Sequence, residues 1–232
     1  MNTFIASPFG NYIKPKNCIP VTGTWTLHPR GNRLLAVAKT LRYNKELRGW
    51  TNRLGLPNPG IGIGAEKTKS HEVLSIAQVD DGDFTMLNYK IWSSQNVEIN
   101  LSCPNISRTG NWTDAKIFLK GPRDWCIAKV SPLTTLEDIE YLIDDLGFTQ
   151  IHFSNTLQIS AGGLSGPELR PYTLELIKLA RKHFGEKITI IAGGGIQHIG
   201  HVAEYINAGA DHISIGSVCF NPIKTWKLIK NL

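Results

Sequence analysis

No stretch of the sequence holds the roughly 20 consecutive apolar residues that a membrane-crossing helix needs. The opening run, MNTFIASPFGNYIKPKN, has neither the basic start nor the long apolar middle of a secretion signal. A cytoplasmic protein without a membrane segment is the expectation. Cysteine is scarce: Cys18, Cys103, Cys126 and Cys219 are widely scattered and form no Cys-x-x-Cys pair. That spacing points away from a disulfide framework and from a structural zinc site, and leaves four reduced thiols. Contiguous basic blocks are missing too. Lys and Arg outnumber Asp and Glu by 25 to 19, but they are dispersed through KPK, RGNR, RYNKELR and RKH with no interleaved aromatics. The excess suits an anionic small ligand, and no nucleic-acid partner is expected.

What the chain has in quantity is short apolar runs closed by Gly, Pro, Asn or Asp. Eight recur: TFIAS (3–7), IPVTGTW (19–25), VLSIAQV (73–79), VEINLS (97–102), CIAKV (126–130), QIHFS (150–154), ITIIA (188–192) and HISIG (212–216). Several are apolar at nearly every position, as strands covered on both faces are. Helical patterns alternate with the later runs. In TTLEDIEYLIDDLG, Leu136, Ile139, Leu142, Ile143 and Leu146 share a face, Thr134 with Glu137 forms a possible capping box, and Gly147 suits the stop. YTLELIKLARKHFG repeats the plan with Thr173 as N-cap, Leu174, Ile177 and Phe184 as the buried stripe and Gly185 at the end. HVAEYINAG and IKTWKLIKNL supply two more helices.

Strand–helix alternation demands a parallel sheet. Eight strands in 232 residues predict an α/β protein with a compact (β/α)8 TIM barrel, and a doubly wound open sheet is the alternative. The N-terminal half is reduced: strands 1 and 2 are separated by too few residues for a helix of ordinary length. The segment 26–72 holds one helical stretch, RLLAVAKTLRYNKEL, and a Gly/Pro loop, NRLGLPNPGIGIG. No boundary divides the chain, so a single domain over 1–232 is expected.

In such barrels the chemistry sits at the C-terminal ends of the strands, and phosphate commonly binds after strands 7 and 8. Here those places read AGGGI, with Gly193, Gly194 and Gly195, and ISIGSV, with Gly216 and Ser217. Glycine lets backbone N–H groups approach phosphate oxygens. The other strand ends carry groups a core excludes: Thr22 and Thr24, Asn100 and Cys103, Lys129, Ser154, Asn155 and Thr156. Burying amides or an ammonium without partners costs several kcal/mol, so six strand ends agreeing predict a planar ligand rich in carbonyl and imide groups with a phosphate tail. His198 and His201 read as surface histidines, and Trp25, Trp50 and Trp92 as packing.

The motifs NLSCPN (100–105), GGLSGP (162–167), NRLGLPNPG (52–60), TGTWT (22–26), SNT (154–156), AGGGI and GADHISIGS resemble, in order, those of the dihydroorotate dehydrogenase family, flavin mononucleotide (FMN) enzymes on a (β/α)8 barrel. The resemblance implies oxidation of dihydroorotate to orotate in pyrimidine biosynthesis. It implies Cys103 as the catalytic base, with hydride passing to flavin N5. Asn52, Asn100, Asn105, Asn155 and Thr156 are implied as substrate contacts. Gly23, Thr24, Lys129, Ser154, Ser165, Gly166, Gly194, Gly195, Gly216 and Ser217 are implied as cofactor contacts, Lys129 lying beside the flavin's N1 and O2.

Asn11 stands where the family has a lysine, with Lys14 and Lys16 as candidate replacements. The pattern mixes the cysteine of soluble enzymes with TGTWT and NRLG segments similar to those of quinone-using ones, and so leaves the electron acceptor open. A homodimer is a possible assembly. The alternative activities are reduction of another uracil-like ring, as in a dihydrouridine synthase, or flavin binding without turnover.

Overall fold

The computed structural model describes residues 1–102 and 112–232; Cys103 and Asn105 lie outside the described residues. Eight strands close into a barrel: β1 (Thr3–Ile5), β2 (Ile19–Trp25), β3 (Val73–Ile76), β4 (Val97–Asn100), β5 (Cys126–Val130), β6 (Gln150–Phe153), β7 (Thr189–Ala192) and β8 (His212–Ile215). Each pairs in parallel with its neighbour in the chain, and β8 closes on β1 through Thr3↔Ile213 to Ile5↔Ile215. All eight expected strands are therefore present, and the expected barrel forms rather than the open sheet.

The near-continuous apolar runs arise because both strand faces are covered. Ile5, Leu74, Ile99, Ala128, Ile151, Ile190 and Ile213 belong to the core packed under the helices. Phe4, Val21, Val73, Ile127 and Ile191 form a separate cluster inside the barrel. Trp125, just ahead of β5, closes that end, edge-on to Phe4 with ring centroids 5.0 Å apart and to His212 at 5.4 Å. Each large apolar side chain so buried contributes about 1.5–3 kcal/mol. This apolar floor at the strands' N-terminal ends leaves polar chemistry to the other end.

The helices are α1 (Arg33–Thr40), α2 (Ile61–Lys67), α3 (Asp83–Lys90), α4 (Leu136–Glu140), α5 (Arg170–Phe184), α6 (Ile199–Asn207) and α7 (Pro222–Lys230). As expected, β1 and β2 are joined without a full helix, by a 3-10 turn at Phe9–Asn11.

Local readings need four corrections. The capping box on α4 is made by Thr135 with Asp138, one residue later than expected, because those two side chains reach each other's backbone N–H at 3.1 Å. A wide turn at Tyr141–Asp145 continues that helix to the left-handed Gly147, φ 88°. Thr173 is not an N-cap: α5 starts at Arg170, and the buried Thr173 hydroxyl bonds back to the Leu169 carbonyl at 3.1 Å. The helical stretch at 33–47 ends at Thr40. There the Asn44 side chain accepts from the Leu47 N–H at 2.9 Å, and the chain turns into a hairpin of Arg42–Asn44 and Gly49–Asn52. The end of the Gly/Pro loop is helical, because Gly64 on α2 lets the helix backbone lie directly on Trp25, where a Cβ would fall 2.6 Å from the indole.

The hairpin belongs to a second sheet that sequence periodicity does not disclose. Its four short strands pair antiparallel in the order Arg42–Asn44, Gly49–Asn52, Gly162–Ser165, Leu157–Ile159. Residues after β2 and residues after β6 thus meet across the barrel mouth.

Two glycines test the packing. At Gly10 an added Cβ would lie 2.4 Å from the Val21 carbonyl oxygen and 2.5 Å from its nitrogen, whereas at Gly62 on α2 it would meet nothing within 4 Å. Gly10→Ala is expected to cost about 1–3 kcal/mol by overpacking. Gly62→Ala is expected to gain about 0.5–1 kcal/mol. The two denaturation midpoints, compared with the parent's, check both signs.

Candidate active site

A cavity of about 410 Å³ opens at the C-terminal ends of the barrel strands. Every described residue implied as a substrate or cofactor contact lines it. Gly23 and Thr24 come from β2, Asn52 from the hairpin, Asn100 from β4 and Lys129 from β5. Ser154, Asn155 and Thr156 follow β6, Ser165 and Gly166 end the Gly162–Ser165 strand, Gly194 and Gly195 follow β7, and Gly216 and Ser217 follow β8. Residues spread over almost the whole chain converge because parallel strands all end on one side.

The polar side chains form a connected set. Asn155 Nδ2 donates to Asn100 Oδ1 at 2.8 Å, and Asn100 Nδ2 donates to Thr24 Oγ1 at 3.3 Å. Asn52 Nδ2 donates to the Gly163 carbonyl at 3.3 Å across the second sheet. These contacts fix which faces of the carboxamides point into the cavity.

The glycine loops do two jobs. Gly194 and Gly195 have φ of +87° and +72°, and Cβ atoms there would lie 2.8 Å from Ser154 Oγ and 2.7 Å from the Gly166 carbonyl oxygen. Tyr205 pins the loop by donating to the Gly194 carbonyl at 2.6 Å. Gly216 differs: a Cβ would find only Ala6 Cβ, at 3.6 Å, so this backbone is bare to the cavity.

Three expectations are corrected. Thr22 faces away from the cavity, 2.7 Å from Thr68 Oγ1 and accepting from Trp25 Nε1 at 3.3 Å, because it alternates with the inward Gly23. Lys14 replaces no pocket lysine, since it pairs with the buried Glu72 at 2.7 Å at the start of β3. Asn11 instead clamps the Gly23 backbone, donating to its carbonyl at 3.2 Å and accepting from its N–H at 3.1 Å. Of the tryptophans read as packing, Trp25 is buried, Trp50 lines the cavity in contact with Phe220 at 4.5 Å between ring centroids, and Trp92 is 79% exposed.

Sequence reasoning missed a buried acid–base cluster beneath the cavity. Glu98 is fully buried; its Oε2 lies 2.7 Å from His152 Nδ1, and its Oε1 accepts from Ser75 Oγ at 2.9 Å and lies 3.6 Å from Lys129 Nζ. Lys129 and His152 line the cavity, as does Ser214, whose buried Oγ has no hydrogen-bond partner among the described residues. The signal was available: strand alternation puts Glu98 on the face of Asn100, and parallel register sets His152 opposite Lys129. Burial by itself raises the Glu98 carboxyl's pKa, but Lys129, His152 and the bonds from His152 and Ser75 outweigh it and hold the group well below the usual range. Burial, with a further push from Lys129, holds His152 below the usual histidine range against the pull of Glu98. Away from the cavity, burial pushes the Cys126 and Cys219 thiols up to about 12, so neither is a ready nucleophile.

A family model described as dihydroorotate dehydrogenase matches residues 127–232. The catalytic subunit of dihydroorotate dehydrogenase B (NAD(+)) from Thermotoga maritima is 30% identical, over 91% of this chain and 87% of that one. The chain belongs to the dihydroorotate dehydrogenase family. The corresponding subunit from Staphylococcus carnosus is 29% identical over 85% of this chain and 77% of its own. The crystal structure of DHODH from Eimeria tenella in complex with ferulenol superposes with a TM-score of 0.81 at 19% identity, covering 100% of this chain and 80% of that one. Membership makes the chain a dihydroorotate dehydrogenase-like oxidoreductase. Among the described residues, no helix is long and apolar enough to cross a membrane.

The titrating groups set a direction for stability with pH. His152, His201 and His212 are all held below the ordinary 6.5, burial being the leading cause each time, with His201 at about 4. Glu98 is held below the ordinary 4.5. In each case the unfolded chain binds the proton more readily, so stability is full above these ordinary values and drains as pH falls below them. The melting temperature is expected to decline on acidification from pH 7, and His152→Gln is expected to flatten the decline between pH 6.5 and 5. A parallel decline in that variant would remove His152 from the account.

Proposed function

We propose that the chain binds FMN in one barrel domain spanning residues 1–232 and oxidises dihydroorotate to orotate in pyrimidine biosynthesis, with Cys103 as the base. The observation that carries this reading is the cavity's composition: three carboxamides, a lysine and the hydroxyls of Thr24, Ser154 and Thr156 face a chamber that also has apolar walls and is bordered by bare glycine backbone. The volume lies within the range of cofactor and small-ligand sites, roughly 300–1,000 Å³.

Three features fit FMN. The buried Ser214 hydroxyl has no hydrogen-bond partner among the described residues. The backbone at Gly216 is open where a side chain would intrude. Lys129 offers a cation at the chamber floor for an electron-rich ring edge. Gly194, Gly195, Gly216 and Ser217 would hold the phosphate, while Gly23, Thr24, Lys129, Ser154, Ser165 and Gly166 would hold the ring and ribityl chain. Bound there, FMN supplies at its N5 the acceptor for hydride leaving C6 of dihydroorotate.

The chain's own residues do the rest. Asn52, Asn100, Asn155 and Thr156 present donors and acceptors together, which matches the alternating C=O and N–H groups along a pyrimidine edge. Asn105 joins them in this reading. The hydrogen bonds among Asn155, Asn100 and Thr24 hold two of these amides in place before substrate arrives, so little orientation is left to lose on binding. Cys103 accepts the C5 proton. A thiol with an ordinary pKa near ~8.5 does this only as thiolate, so the rate of reduction by substrate rises with pH as Cys103 ionises.

The purified protein is expected to show flavin absorption near ~450 nm that bleaches when dihydroorotate is added without oxygen. Cys103→Ala is expected to keep the colour and slow the bleaching by about 10²–10⁴-fold. Bleaching at the parent rate in the variant would reject Cys103 as base, and a coloured parent that does not bleach would reject dihydroorotate as substrate.

A further inference from the structure

Lys129 is the cation nearest the chamber floor among the described residues that line the cavity, yet it does not act on the cavity alone. Glu98 sits directly beneath it, with no side-chain exposure, 3.6 Å from the ammonium. The carboxylate is held from three sides: Ser75 Oγ at 2.9 Å, His152 Nδ1 at 2.7 Å and Lys129. Ser75 is itself tied at 3.0 Å to Thr24 Oγ1, which also contacts Ser7 and Asn100. Glu98 does not line the cavity, so it cannot touch a ligand there. Its charge nevertheless reaches the cavity through poorly screened protein.

We propose that Glu98 is a positioning residue and internal counter-ion that offsets part of the positive charge Lys129 presents to the cavity, and thereby lowers the preference of the site for the reduced, anionic form of bound flavin. The inference rests on the flavin reading above. Its physical basis is charge arithmetic: Lys129 alone would offer the ring edge a full positive charge, whereas Lys129 with Glu98 offers a dipole. His152 completes the device. Its Nδ1–H donates to Glu98 and so keeps the carboxylate ionised and oriented, while its Nε2 is turned towards Gly193, where a Cβ would lie 2.9 Å away. The other neighbouring strands bring no further titratable group to this spot: β7 offers Gly193 and Ile191, and β8 offers Ser214.

The test is a comparison of binding constants for oxidised and reduced FMN, measured by fluorescence quenching and by potentiometric titration on the parent and on Glu98→Gln, which keeps the shape and removes the charge. The ratio of the two constants is expected to move about tenfold or more towards the reduced form in Glu98→Gln, appearing as a positive shift of the bound flavin's midpoint potential. A merely structural role would weaken both forms alike and leave the ratio unchanged, which overturns the proposal. Should Glu98→Gln fail to fold, Glu98→Asp keeps the charge but withdraws it by one methylene, and a smaller shift of the same sign is expected; no shift there overturns it equally. If the parent protein binds FMN in neither form, the flavin reading itself fails, and an unchanged ratio in proteins that do bind is thereby distinguished from it.

Discussion

A carboxylate cut off from water in the middle of a barrel is tolerable only when its charge is matched on the spot, because the desolvation cost of an unpaired ion runs to several kcal/mol. Glu98 meets that condition through Lys129, His152 and Ser75, and each of these is held by a different strand. The requirement ties β3, β4, β5 and β6 into one electrostatic unit on top of the apolar layer of Phe4, Val21, Val73, Ile127 and Ile191. The barrel interior is thus graded from hydrocarbon at the N-terminal end, through a compensated ionic layer, to carboxamides and glycine backbone at the mouth. The position of the cavity follows from that gradient.

The mouth is finished by the second sheet. Without the pairing of Gly49–Asn52 with Gly162–Ser165, Asn52 and Ser165 would have no fixed relation to the strand ends. Leu164↔Thr51 and Gly163↔Asn52 give them one, and Gly162 permits it, because a Cβ there would lie 2.3 Å from the Asn52 carbonyl oxygen. The same sheet carries Trp50 to Phe220, so an aromatic wall and a polar floor face each other across the chamber.

Much of the architecture was legible because it rests on local patterns. The eight strands announced themselves as buried runs with turn residues at their ends, and their parallel arrangement required the polar strand ends to converge. What was not legible depends on long-range pairing. The second sheet joins segments more than a hundred residues apart, with strands of three or four residues that carry little periodicity of their own. Thr173 looked like a cap because a threonine before an apolar stripe usually is one, and only the packing of Ser154 against α5 gives it a different partner. Glu98 was overlooked because a single acid in an apolar run looks like a solvent-facing position until the barrel closes around it. Thr22 was misassigned because the pairing of β2 with β3 shifts register between Thr22 and Trp25, so that Gly23 and Thr24 both face the cavity while Thr22 turns to Thr68 at the end of α2.

The order in which these parts can assemble follows from the same long-range pairing. Most barrel strands join neighbours in the chain, whereas the closure of β8 on β1 and the pairing of the hairpin around Trp50 with residues 157–165 both bring together distant segments. Loop closure over such a separation is rewarded only once the intervening strands are in register. Closure of the barrel and completion of the mouth therefore both depend on distant segments, and the second sheet at the mouth has few buried side chains of its own. A ligand large enough to touch both the hairpin and the barrel strands would add a further tie between segments that the chain otherwise joins only through these short strand pairings.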